Sequence, residues 1–346
     1  MCFEENEKRD FMPDIFRDIG RFNVKIKLEH NYGDKLGYKP QDYLALNPEI
    51  EFVNRTETFH CDVVTIIRTP SNEELKQMHK GSSLFSMIHF VTHKNRCNLL
   101  YNLGVNMYAM DSVVDDFNKR LIEFMDGTAE NGVAAAVEHF LKINPNSKEI
   151  RFLVMGSGLV GKSAVDFAVH SAKIPCVCSV IGTNVTCNQE KVKDLLPNTD
   201  ILVDATYRKD ASKIIISNEM IGLLPENAIV LDLTADDYDI NVAPIQVKGI
   251  EGIPTGNLDK FVFMPDDEAF EKIPEGIDSR HRRVTVSCYS WPAVNPRKCL
   301  AVYQKQMIPF FRVFAENNVQ EITTISQDFY NRSLARGDYN FFIGQK

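Results

Sequence analysis

The chain has 346 residues, 44% of them hydrophobic and 25% charged, with a formal net charge of −8 at pH 7. This length allows two domains with substantial cores, and the balance is that of a globular protein rather than a disordered one. The negative charge offers no general attraction to nucleic acid or an anionic membrane, and no apolar run reaches the ~18 residues of a membrane span, so neither partner is expected.

In chain order, a charged run at 4–10 precedes a strand candidate at 24–28 and a short helix at 41–46. Residues 61–67 read as a buried strand closed by Arg68-Thr69-Pro70. A helix at 72–79, a strand at 84–90, a helix at 94–102 and a strand at 105–109 follow. An amphipathic helix at 133–143 marks the hinge. Five more strands are expected at 150–155, 176–181, 200–204, 228–233 and 284–289. Residues 299–317 are helical, with Phe310, Phe311 and Phe314 on one apolar face. Such alternation implies parallel sheets. The expected architecture is α/β, with two Rossmann-like domains whose parallel sheets flank a cleft. One domain comprises 1–131 and 298–346, the other 132–297, and the C-terminal helix returns to the first. The eight cysteines form no C-x-x-C pair and no zinc spacing. The first residues have neither a basic start nor an apolar core, so no secretory signal is expected. Reduced thiols, a cytoplasmic location and no metal site are expected.

Residues 156–163 read Gly156-Ser157-Gly158-Leu159-Val160-Gly161-Lys162-Ser163. Gly156, Gly158 and Gly161 make the dinucleotide pattern G-x-G-x-x-G; Gly156, Gly161, Lys162 and Ser163 make the P-loop pattern G-x-x-x-x-G-K-S. A strand precedes and a helix follows, and in either reading the helix N-terminus offers free N–H groups to a phosphate. A P-loop enzyme needs a Mg²⁺-binding aspartate at a strand end, for which Asp204 and Asp232 are candidates. A dinucleotide enzyme usually carries an acid after the second strand to hold the ribose. Here Gly182-Thr183-Asn184 stands there instead. Its absence leans to NADP, with Thr183, Asn184 and Lys191 as the available contacts. A purely structural glycine turn is the third reading.

The order of motifs resembles the alanine dehydrogenase and transhydrogenase family, whose relatives include saccharopine dehydrogenase and carboxyethylornithine synthase. Glu7-Lys8-Arg9 followed by Pro13 is similar to the family's E-x-R and later proline. Arg9 takes the substrate-carboxylate position if E-x-R is anchored, Lys8 if the proline is; the former alignment is preferred. Arg68-Thr69-Pro70 resembles the segment bearing a substrate-binding lysine. The run 84–89 resembles the segment ending in the acid/base histidine, here His89. Residues 230–236 resemble the segment ending in the active-site aspartate, here Asp236. Ser290-Trp291-Pro292, leading to Pro296, resembles the lining of the nicotinamide pocket, with Ser290 replacing an asparagine. The resemblance implies coenzyme contacts from the 156–161 turn, Thr183, Asn184, Ala205, Leu233, Ser290, Trp291 and Pro292. Trp291 suits either stacking on a coenzyme ring or packing at the rim.

The chemistry fits these residue types. Reducing an imine needs a cation for the substrate carboxylate, an acid for the developing nitrogen and a dry site for hydride transfer. Arg9 and Arg68 can fork a carboxylate, and a histidine such as His89 is the residue type most often used for proton transfer near neutral pH. Asp236 could orient an ammonium or the ribose. Three features depart from the family: little chain precedes Glu4, arginine replaces lysine at 68, and the ribose acid is missing. They disfavour a plain alanine dehydrogenase. The expected function is NAD(P)-dependent oxidation or reduction at a C–N bond of an amino acid, joining a 2-keto acid to an amine or the reverse. A non-catalytic binding relative and a P-loop phosphotransferase are the alternatives. The expected partners are a small amino acid or 2-keto acid and, from the resemblance, further copies of the chain.

Overall fold

The computed structural model describes residues 7–234 and 236–344. Residues 1–6, on which the reading of a shortened start rests, and Ala235 of the 230–236 motif lie outside the described residues. The chain divides into two compact α/β units, Met1–Phe124 with Pro296–Lys346, and Met125–Asn295. Among the described residues, no helix is long and apolar enough to cross a membrane.

In the first unit, β1 (Lys27–Glu29) pairs in parallel with β2 (Glu51–Val53). A second parallel sheet runs β3 (Val63–Arg68), β4 (Ser83–Met87), β5 (Asn106–Ala109) in sequence order. Its strands are apolar on both faces because both faces are covered. The β3–β4 register shifts between Thr65 and Arg68, which sets Arg68 opposite Met87 at the sheet's carboxyl end. The helix Pro296–Glu316 packs on this unit, burying Cys299, Leu300, Tyr303, Met307, Phe310 and Phe311 at helical spacing. Phe85 of β4 meets Phe310, Phe311 and Phe314 at ring separations of 6.3, 6.2 and 5.4 Å. Such pairs contribute ~0.5–1.5 kcal/mol each beyond area burial. The sequence reading missed β2 and the helix Phe329–Arg336.

The second unit holds β6 (Ile150–Met155), β7 (Cys176–Ile181), β8 (Ile201–Asp204), β9 (Ile229–Asp232), β10 (Val262–Phe263) and β11 (Val284–Ser287). They order as β10-β11-β9-β8-β6-β7. All pairings are parallel except that of β10 with β11, so the sheet is mixed at one edge rather than wholly parallel. Side chains alternate between two cores. Phe152 and Val154 of β6 face one, with Ala164, Ala168 and Leu231; Leu153 and Met155 face the other, with Leu202 and Val230. The chain leaves β6 toward β7 and then crosses to β8 on the other side. That reversal is a topological switch point, where open α/β sheets bind ligands beyond the strands' carboxyl ends.

The helix opening this unit begins at Met125, ahead of the expected 133. Gly127 and Gly132 break the apolar pattern in its first half. Gly132 is required by packing, since a Cβ there would come within 2.4 Å of Leu233 Cδ2.

Candidate functional site

The glycine turn follows β6, and its three glycines serve different ends. Gly156 has φ +106°, and a Cβ there would lie 2.3 Å from the Ala205 carbonyl oxygen. Only glycine tolerates both that conformation and that approach. A Cβ on Gly161 would meet the Gly156 carbonyl oxygen at 1.9 Å, so this glycine lets the helix lie against the turn. Around Gly158 there is nothing within 4 Å of an added Cβ. Ser157, Gly158 and Leu159 are exposed and Val160 is half-buried. The turn therefore presents an open backbone at the N-terminus of the helix Leu159–Ser171.

That helix start separates the two fingerprints. Lys162 lies a turn inside the helix, its N–H donating to the Gly158 carbonyl at 3.0 Å. The Ser163 hydroxyl donates to Asp126 Oδ1 at 2.7 Å. With the helix already running from Leu159, only Ser157 and Gly158 separate it from Gly156, too short a loop to wrap a triphosphate. The Mg²⁺ candidates are also engaged internally. Asp204 is 1% exposed and accepts from the Thr206 N–H and hydroxyl. Asp232 is 2% exposed and accepts from Lys248 Nζ at 2.8 Å, Ser287 Oγ at 3.0 Å and the Thr234 N–H and hydroxyl. Among the described residues no group of three or more His, Cys, Asp or Glu is placed to hold a metal.

The residues expected round a coenzyme fall into two sets. After β7, the Ser157 hydroxyl and the Asn184 side-chain oxygen converge on Gly182, each 3.5 Å from where its Cβ would be. Thr183 is exposed beside them and Ala205 backs the turn. Leu233 and Trp291 instead lie in the core, 5% and 1% exposed. Trp291 donates its indole N–H to the Asp232 carbonyl at 2.7 Å and packs edge-on against Phe261, so it supports the end of β9 and offers no free ring face. Ser290 and Pro292, on either side, are half-buried.

Asp236 is held by a network that motif spacing did not reveal. Arg208 donates from Nη2 to Asp236 Oδ2 at 2.6 Å and to the Val247 carbonyl at 2.6 Å, while its Nη1 reaches the Lys213 carbonyl. Lys248, 1% exposed, donates to the Asp236 carbonyl. One carboxylate oxygen of Asp236 is thus fixed, and among the described residues Oδ1 has no hydrogen-bond partner. The single sequence sign was an arginine and a lysine 28 residues before and 12 after the aspartate.

In the first unit, the carboxyl ends of β3, β4 and β5 gather a second group. Arg68 ends β3 and Thr69 caps β4 by donating to the Met87 carbonyl at 2.9 Å. His89 lies just past β4 with φ +55°, a conformation rare for a non-glycine residue and common at strained functional positions. Asp111, just past β5, explains how it is held. Its Oδ1 accepts from the His89 N–H at 3.2 Å, and its Oδ2 lies 3.5 Å from His89 Nδ1. The imidazole is 52% exposed, the carboxylate 11%.

Arg9 is not free at such a surface. Its side chain is 6% exposed and makes a two-pronged pair with Glu7, Nε to Oε1 at 2.9 Å and Nη2 to Oε2 at 2.7 Å. Glu7 is held below the usual carboxylate range by Arg9 despite its burial. Lys8 is half-buried and donates its N–H to the same Glu7. A different cation stands near the strand ends. Arg120 reaches Met87 Sδ from Nη2 at 4.0 Å, while its Nε is buried with no hydrogen-bond partner among the described residues. Nothing in the local sequence, Lys119-Arg120-Leu121, sets it apart from a surface charge.

Residues 4–129 match the N-terminal domain described as alanine dehydrogenase/PNT. The chain is 25% identical over 176 residues to NAD(P) transhydrogenase subunit alpha of Haemophilus influenzae, covering 47% of this chain and 34% of that one. It is 19% identical over 242 residues to alanine dehydrogenase of Bacillus subtilis, covering 62% and 64%. The chain resembles the alanine dehydrogenase and transhydrogenase family. It spans less than two thirds of these relatives' lengths. A solved L-alanine dehydrogenase superimposes with a TM-score of 0.70 over 97% of this chain and 93% of its own, at 14% identity, which is a likeness of fold.

Proposed function

We propose that the protein is an NAD(P)-dependent oxidoreductase acting at a C–N bond of an amino acid, joining a 2-keto acid to an amine or running the reverse. The observation that carries this reading is the division of labour in the turn. Gly156 makes the tight bend, Gly161 admits the helix, and Gly158 is left open where a diphosphate would approach. These are the three tasks the glycines of a dinucleotide-binding turn perform. The family resemblance supports the same reading.

A pyridine dinucleotide fits the residues present. The backbone of 156–158 and the start of the helix at Leu159 would hold its diphosphate. Ser157, Thr183 and Asn184 would contact the adenosine ribose. With Gly182-Thr183-Asn184 rather than an acid following β7, nothing in that segment repels a 2′-phosphate, and NADP(H) is favoured over NAD(H). When bound, the nicotinamide supplies or accepts the hydride.

The chain's own residues supply the rest. His89 gives a proton to the developing amine nitrogen, or takes one in the reverse direction, and Asp111 fixes its ring through Nδ1. Arg68 and Arg120 bind the substrate carboxylate. Arg9, already forked onto Glu7, builds the surrounding structure, and a carboxylate reaching it would have to share or displace Glu7. Asp236 presents its free oxygen to an ammonium or a ribose hydroxyl.

The test is titration of purified protein with NADPH, NADH and Mg-ATP by fluorescence, followed by coenzyme consumption over a panel of 2-keto acids paired with amines. Binding of reduced dinucleotide with turnover supports the proposal. Binding without turnover across the panel supports a non-catalytic relative. Binding of Mg-ATP alone would sink it.

A further inference from the structure

We infer that Tyr207 is a stacking platform for a planar ring of the coenzyme, an inference that rests on the dinucleotide reading above. Tyr207 is 81% exposed, more than any other large hydrophobic side chain described in its unit. It follows β8 closely, two residues after Ala205, whose carbonyl lies against Gly156. Next most exposed is Leu159, at 62%, the residue after Gly158. The two apolar side chains the unit leaves most open therefore flank one turn, at the switch point of the sheet.

A single exposed aromatic is unremarkable on a mobile loop; this one is displayed by a fixed loop. The residue before it turns inward, with the Thr206 hydroxyl donating to Asp204 Oδ1 at 2.7 Å. The residue after it turns inward too. The Arg208 side chain is 5% exposed and ties the loop to the Lys213 and Val247 carbonyls and to Asp236. With both neighbours anchored, the phenol is held outward. Among the described residues no aromatic ring packs on it. A rigidly presented ring beside a diphosphate site lowers the entropy of ordering a base upon it. Stacking of this kind is tolerant of which base is present.

The experiment measures Kd for NADPH and NADH by fluorescence titration in the wild type, Tyr207→Ala and Tyr207→Phe, with thermal melts of each. At 81% exposure the side chain contributes little packing, so all three should melt alike. Tyr207→Ala should raise Kd about tenfold or more, and Tyr207→Phe should bind like the wild type. Parallel titrations with ADP-ribose and nicotinamide mononucleotide identify the ring, since the fragment that stacks loses affinity with the alanine variant. Equal Kd for wild type and Tyr207→Ala overturns the inference. So does a Tyr207→Phe loss as large as that of alanine, which would assign the effect to the hydroxyl. A wild type that binds no dinucleotide removes the underlying reading instead, and is distinguished by its own titration.

Discussion

Alanine substitutions at the three turn glycines should separate folding from binding. At Gly156 the added methyl meets backbone, 2.3 Å from the Ala205 oxygen, at a φ of +106°. Strain of that kind costs of order 1–3 kcal/mol and overpacking a further 1–3. Gly156→Ala should therefore lose about 2–6 kcal/mol. At Gly161 the obstacle is again backbone, at 1.9 Å, and the helix would have to lift off the turn. Gly161→Ala should lose about 1–3 kcal/mol. With ~2–4 °C per kcal/mol for a unit of this size, both variants should melt clearly below the wild type. Gly158 differs. Its φ of −76° suits alanine, and the methyl would meet nothing within 4 Å. Alanine is a poorer N-cap than glycine but also restricts the unfolded chain, and the two effects nearly cancel, leaving ~1 kcal/mol or less.

The methyl at 158 would nevertheless stand on the open backbone proposed for the diphosphate. Gly158→Ala should keep the wild-type melting curve and raise Kd for reduced dinucleotide at least ~10-fold, a loss of about 1.4 kcal/mol. Differential scanning fluorimetry and coenzyme fluorescence titration measure the two quantities on one sample. Unchanged Kd in Gly158→Ala would refute the assignment of the turn. A variant at 158 that melts as low as the one at 156 would refute the geometric argument itself.

Other consequences can be measured alongside. His89→Ala should cut turnover by at least ~100-fold with coenzyme Kd nearly unchanged, and Asp111→Ala, by releasing the imidazole, should cut it roughly 10- to 100-fold; steady-state rates with parallel coenzyme titrations decide both. Arg120→Met should raise KM for the carboxylate substrate more than it lowers kcat, as expected for a group that binds substrate and transition state alike. Asp204 should make stability depend on pH. Burial, and then neighbouring Asp232, pushes its carboxyl up to about 7, whereas it ionises near 4 in an unfolded chain. The folded state keeps the proton across that window, so stability falls as pH rises through it. From pH 5 to pH 8 this one group should remove about 3 kcal/mol. Urea unfolding at the two pH values should show a correspondingly smaller loss in Asp204→Asn, and an equal loss in both proteins would count against the buried titration.

The alternation of strands and helices was legible because buried parallel strands are continuous apolar runs, and even the edge strand β7, largely open to solvent, keeps an apolar run. Strands β6, β7, β8, β9 and β11 were placed with boundary differences of at most two residues. Short elements were not: β2 is three residues of Glu-Phe-Val and β10 two of Val-Phe, too brief for any periodicity to rise above chance. The first half of the helix Met125–Ile143 was hidden by glycines that tertiary packing demands and helix propensity opposes.

The candidate site divides along a similar line. Its turn was visible because three glycines at fixed spacing do backbone work that no other residue can do. His89 was visible only as the end of an apolar run. The groups that give these residues their geometry come from distant segments: Asp111 for His89, Arg208 and Lys248 for Asp236, and Glu7 closing the fork of Arg9. Arg9 is the instructive case. E-x-R reads as a carboxylate-binding arginine, yet the glutamate of the same motif lies within 2.7 Å of it and satisfies it. Arg120 has no motif at all, but a guanidinium whose buried Nε lacks a partner among the described residues carries a desolvation cost that an incoming carboxylate would relieve. At these strand ends the unmet donor of Arg120 is therefore a stronger sign of a ligand-binding cation than Arg9, whose charge Glu7 already neutralises; Arg208, whose Nε is equally unmet among the described residues, is instead tied down through Nη1 and Nη2. The ratio of KM effects in Arg120→Met and Arg9→Met measures that difference, and a larger effect at Arg9 would reverse the assignment.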